Sequence, residues 1–115
     1  MSSTIISKTK VIRDLLLDLE NVDVYHYRKP SQDRSKRYIV WAEDGSNQSF
    51  SGNNRVTEQQ ITGTIDLFTQ IEYDEMVDSI QGALNTSGHV SWRLESVEYE
   101  DDTALIHWAW TFSVA

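Results

Sequence analysis

Residues 98–115 read EYEDDTALIHWAWTFSVA. Trp108, Trp110, Phe112 and Val114 fall on alternate positions, with His107, Ala109, Thr111 and Ser113 between them. A period of two is the mark of a strand with one face buried. Tryptophan is costly to leave in water, and chain ends fray unless tied down. This strand must therefore press on something. The reading adopted is that Trp108, Trp110 and Phe112 face the protein's own helices. The opposite face, with Leu105, His107 and Ala109, is left to meet a neighbour.

Working upstream, residues 89–100 (HVSWRLESVEYE) form the other arm of a long hairpin turning at Asp101 and Asp102. Val90, Trp92 and Leu94 share a face, whereas Val97 and Tyr99 are out of phase with them, which predicts a bulge near Ser96. Residues 72–84 predict a helix with one apolar stripe of Tyr73, Met76, Val77, Ile80 and Leu84. Glu72, Asp74 and Glu75 would occupy its first turn, where the helix dipole favours acids. Residues 56–70 predict a long strand with Ile61, Ile65 and Leu67 on one face. Gly63 stands in line with them, at a bulge or a close backbone approach.

The first half reads more weakly. Residues 5–19 predict a helix, with Val11, Ile12, Leu15, Leu16 and Leu19 at three- and four-residue spacing and Asn21 as the stop. Residues 22–27 and 37–43 predict two strands joined as a hairpin around a basic turn, with Pro30 ending the first. Residues 44–54 (DGSNQSFSGNN) are polar, with Phe50 isolated among them, and predict a mobile loop that a partner would order. The order is α-β-β-β-α-β-β. It implies an α+β fold: a mainly antiparallel β-sheet with two α-helices packed on one face.

Length and composition set outer bounds. A chain of 115 residues that is 39% hydrophobic is expected to be one folded domain over 1–115. It has no cysteine, so it carries no disulfide framework and no thiolate metal site. Residues 1–10 lack the apolar core of a signal peptide, and no run reaches the length needed to span a membrane. The Asn-x-Ser matches at Asn47 and Asn85 carry little weight in that setting.

The net charge is −8 and unevenly spread. Nine of the ten basic residues precede position 59; after it Arg93 stands against ten acids. Arg28, Lys29, Arg34, Lys36 and Arg37 bunch around a single Asp33. The plain reading is a solvated loop. The sharper one is a basic patch that meets an acidic surface on a neighbour. General affinity for nucleic acid is disfavoured by the overall charge.

Catalytic signatures are missing. There is no phosphate loop, no dinucleotide turn and no HExxH. His26, His89 and His107 lie on separate segments, and a surface or interface role is the plainer reading for His107 than a general base or ligand. The acid run at 98–102 lacks the glycine and spacing of a calcium loop. A stacking platform for sugars or bases would draw on Trp41 and Tyr38. No cofactor, metal or catalytic residue is expected.

ITGTIDLFTQ (61–70), the acidic helix EYDEMVDSIQGALN (72–85), the Trp-bearing strand and the closing DDTALIHWAWTFSV (101–114) carry a resemblance. Together they resemble the small tail-completion, or tail-terminator, proteins of long-tailed phages and prophages. The resemblance covers residues 56–115; the first half agrees in element order only. Its motif is a set of core residues with no transferable chemistry. What it implies is a structural protein of the virion, a homohexameric ring that caps the tail tube and stops its polymerisation. Such a ring presents a joining surface to the head connector protein and lets DNA through without specific binding. Its partners would be its own copies, the tail tube protein and the head connector, with no membrane involved. Its place would be the head-proximal end of the tail, and the host cytoplasm before assembly. The subunit or partner interface would include Arg28, Lys29, Arg34, Lys36, Arg37, Phe50 and His107. The competing reading is another phage interaction module, a connector component or a small acidic inhibitor acting as a monomer.

Overall fold

Helix α1 (Ile5–Leu17) starts at a capping box: Thr4 Oγ1 accepts from the Ser7 N–H at 3.0 Å, and Ser7 Oγ accepts from the Thr4 N–H at 2.9 Å. The computed structural model describes residues 4–50 and 56–115, and at 50, 56 and 57 the backbone alone. After α1 come β1 (Asp23–His26), β2 (Arg37–Phe50), β3 (Val56–Thr69), α2 (Met76–Thr86), β4 (Val90–Glu100) and β5 (Leu105–Val114). The expected order holds. The strands make one sheet in the order β1-β2-β3-β5-β4, antiparallel except between β1 and β2.

Register explains the core. Ile39, Leu67, Trp108 and Val97 stand in one row across the sheet; Trp41, Ile65, Trp110 and Leu94 stand in the next. Their side chains point to one face, since alternate residues of a strand do. Ile12 and Leu16 of α1 and Met76, Val77, Ile80 and Leu84 of α2 close that face. Trp110 is fully buried, and its Nε1–H donates to Gln81 Oε1 of α2 at 3.1 Å. Gly63 belongs to the same face. A Cβ there would meet the Ala42 carbonyl oxygen at 2.2 Å and the Phe112 ring at 2.5 Å, so the close approach expected at this glycine is real. The bulge in β4 is also present, between Leu94 and Ser96, and it brings Val97 opposite Trp108.

Four expectations are corrected. First, β1 and β2 are not a hairpin: they pair in parallel, Asp23 with Tyr38 through His26 with Trp41. Both strands start at the same end, and there Arg37 Nη1 donates to the Asn21 carbonyl at 3.4 Å, linking the approach to β1 with the first residue of β2. Residues 27–36 are then a crossover, opened by Tyr27 at φ 76°.

Second, residues 44–50 are not loop. β2 passes an irregularity between Glu43 and Gly45 and runs on to Phe50 against β3. Backbone pairing with β3 overrides the low strand propensity of Ser, Asn and Gly here. β3 pairs with β5 only from Ile61 on, so residues 46–50 and 56–60 form a two-stranded ribbon beyond the sheet. The ribbon accounts for the elongated 52 × 25 × 25 Å outline. Residues 51–54 of the expected loop lie outside the described residues.

Third, α2 begins at Met76. Tyr73 has φ 58°, a left-handed conformation that breaks the helix, and it is 88% exposed rather than part of the stripe. Fourth, α1 ends at Leu17, two residues short of Leu19.

Candidate interaction surface

The sheet face away from the helices is built by the residues between the core positions. A row of rings crosses four strands on it. Tyr25 meets Tyr38 edge-on at 6.4 Å; Tyr38 stacks on Phe68 at 4.9 Å; Phe68 stacks on His107 at 4.3 Å. The His107 ring lies between two carboxylates, with Nε2 2.7 Å from Asp66 Oδ1 and Nδ1 3.6 Å from Glu100 Oε2. Burial, then the negative charges of Glu100 and Asp33, push the Tyr38 phenol above its ordinary range. All four rings are half-buried. The arrangement is a rigid, partly apolar and acidic surface, and its groups already hold one another.

The basic residues divide into three kinds. Arg28, Arg34 and Lys36 are exposed on the crossover and form no ion pair among the described residues. Lys29 is half-buried, with Nζ 5.3 Å from the Tyr38 ring centre and donating to the Asp33 carbonyl. Arg37 is turned into the fold. Its Nε donates to Asp74 Oδ2 at 3.0 Å and its Nη2 to Asp74 Oδ1 at 2.5 Å, a fork on a carboxylate whose side chain is 1% exposed. Asp74 also accepts from Thr69 Oγ1 at 2.6 Å and from the Met76 N–H at 2.8 Å. Burial alone would raise this carboxyl, but the bonds from Arg37, Thr69 and Met76 outweigh it and hold the group below the ordinary carboxylate range.

Sequence reasoning placed Asp74 among helix-end acids and missed its pairing with Arg37. No local signal joins positions 37 and 74. The side chain of Phe50 lies outside the described residues. His107 is on the face opposite the tryptophans, as expected.

The three histidines stand apart. His26 bonds Glu43 Oε2 at 2.7 Å and stacks on Trp41 at 4.0 Å; His107 has Asp66; His89 lies exposed between α2 and β4. Among the described residues no three His, Cys, Asp or Glu are grouped to hold a metal ion. Trp41 is 3% exposed in the core, so it cannot serve as a stacking platform.

The acids gather at the other edge of the sheet. Glu95 and Glu98 on β4 and Asp101 and Asp102 in the turn after it are exposed, and Arg93 there is taken by Glu95 at 2.6 Å. Strand order puts β1 at one edge and β4 at the opposite edge, and the basic crossover leaves β1 at Tyr27 and returns to the start of β2.

Among solved structures, the chain matches the sheath/tube terminator of an extracellular contractile injection system, PVC, in its extended state. The TM-score is 0.56 with 10% sequence identity, over 99% of this chain and 56% of that one. The fold is terminator-like. This chain spans a little over half the length of that terminator. No protein-family model matches it, and no curated protein matches at a significant level.

Proposed function

We propose that the chain is a structural tail-assembly protein, a single terminator-like domain over residues 1–115. It caps a finished tail tube as a ring, ends tube polymerisation and offers the surface to which the head connector joins. The observation that carries this reading is the terminator-like fold matched over 99% of the chain. Two features support it. Unlike charges on opposite sheet edges suit the head-to-tail contacts a ring requires. The overall charge of −8 suits a passage through which DNA moves without sticking, because DNA affinity comes from neutralising phosphates.

On this reading the protein works without cofactor or catalysis at the head-proximal end of the tail, after a free stage in the host cytoplasm. Its partners are further copies of itself, tube protein and connector. Arg28, Lys29, Arg34, Lys36, Phe50 and His107 belong to the contact surfaces, and Arg37, bonded to Asp74 and the Asn21 carbonyl, contributes by anchoring the start of β2. The test is tail length by electron microscopy in a producing strain that lacks the chain. Tubes of irregular, excessive length are expected. Tubes of normal, uniform length joined to heads would overturn the reading.

A further inference from the structure

The edge strand β4 is an open pairing site. It has eleven residues and pairs only with β5; along its outer side no backbone group has a backbone partner among the described residues. Long edges invite pairing with another chain, and proteins normally shorten or cover them. This one also carries Leu94 at 37%, Val97 at 47% and Tyr99 at 63% exposure. Glu95 and Glu98 and the turn acids Asp101 and Asp102 lie exposed along it.

The other edge of the same sheet is its complement. β1 is four residues long and, among the described residues, pairs with no strand on its outer side; the crossover that follows holds Arg28, Arg34 and Lys36 exposed and without an ion pair among the described residues. Strand directions add a geometric condition. β1 runs with β2, β3 against β2, β5 against β3 and β4 against β5, so β4 runs opposite to β1. If one copy is placed beside another with the helix faces on the same side, β4 of the first meets β1 of the second antiparallel. That is the more stable way for two strands to pair.

We propose that β4 of one copy docks on β1 and the basic crossover of a second copy, extending the sheet from subunit to subunit. The contact joins two unlike patches of one chain. It therefore repeats head to tail and gives a closed ring if the rotation between copies closes. This rests on the ring reading above and names the surfaces that build it.

A charge exchange between the two edges tests it. One variant carries Arg28→Glu, Arg34→Glu and Lys36→Glu; a second carries Glu98→Lys, Asp101→Lys and Asp102→Lys. None of these six side chains forms an ion pair within the described residues, so melting temperatures close to wild type are expected. If a reversal fails to fold, the matching Gln and Asn substitutions replace it. Light scattering at low ionic strength is expected to show wild type at multiples of 13.3 kDa and each variant alone at the monomer mass. An equal mixture of the two should regain the wild-type mass, because each reversed patch then faces an opposite charge. A wild type that is monomeric at every concentration overturns the proposal. So does a single variant that assembles like wild type, or a mixture that stays monomeric. Normal tail capping by a chain that is monomeric in solution would reject this contact and leave the capping role standing. Edge-dependent assembly with no effect on tail length would do the reverse.

Discussion

The two faces of the sheet are made from the same strands and differ in what each residue is asked to do. On the helix-covered face, Ile39, Ile65, Leu67, Trp110 and Val114 are fully buried in the apolar core, where Trp110 alone of the five carries a side-chain polar group, its N–H bonded to Gln81. On the open face, Tyr38, Phe68 and His107 are half-buried, stack on one another, and lie among Asp66, Glu100 and Asp33. Burial stabilises the first face in proportion to area. The second gains less from each contact and keeps its charge accessible. Apolar burial and half-exposed polar stacking are thus segregated by residue parity, within single strands.

The largest effect that tests this segregation is on the covered face. Trp110→Ala should cost about 3–5 kcal/mol, read from the urea midpoint, because it removes a fully buried ring and the bond to Gln81. A midpoint equal to wild type would remove Trp110 from the core. Next is the Arg37–Asp74 fork at the end of that face. Asp74→Ala should cost about 3 kcal/mol, at the low end for a broken buried pair because Arg37 is 29% exposed.

The same carboxylate predicts an acid limb in stability. Its folded value is depressed, so its contribution is complete above the ordinary range of about 4 and is lost as pH falls through the lowered value. Melting temperature should therefore fall more steeply in wild type than in Asp74→Asn below about pH 4. Parallel curves would contradict the assignment.

On the open face, Phe68→Ala should cost about 1 kcal/mol, since it loses two stacked contacts and only part of a buried side chain. A loss comparable to Trp110→Ala would show that the open face holds the fold as well. The smallest effect belongs to neither face. Ala104, in the turn between β4 and β5, sits at φ 57°. Ala104→Gly should raise stability by about 0.5 kcal/mol, the relief of a left-handed alanine less the added freedom of glycine in the unfolded chain. A fall in melting temperature would refute this.

The covered face was legible in the sequence because burial and strand period give one signal. Trp108, Trp110 and Phe112, like Ile39 and Trp41, alternate with polar or smaller residues in a way few other structures explain. The ribbon was hidden because its Ser, Asn and Gln residues read as loop until β3 supplies their backbone partners. The parallel placement of β1 was hidden for another reason. It rests on backbone pairing between two strands joined by the crossover at 27–36, and the Arg37 bonds to Asn21 and Asp74 beside it join distant positions with no local trace. The start of α2 turns on a single backbone angle at Tyr73. Of the candidate surface, the cluster of cations was visible, but which of them point outward was not. The row from Tyr25 to His107 draws on four strands and exists only once the sheet is formed.

The strand order has a consequence for how the chain is made. β5 lies inside the sheet, paired with β3 on one side and β4 on the other, yet it follows every other element in the chain. During synthesis α1, β1, β2, β3, α2 and β4 all emerge before the strand that carries Trp110, Phe112 and Val114. Until then β4 has no neighbour, and the helices have only part of the surface they cover. The β2–β3 pair and the β4–β5 hairpin are each local, so it is the pairing of β5 with β3, between residues far apart in sequence, that joins them into one sheet and closes the core.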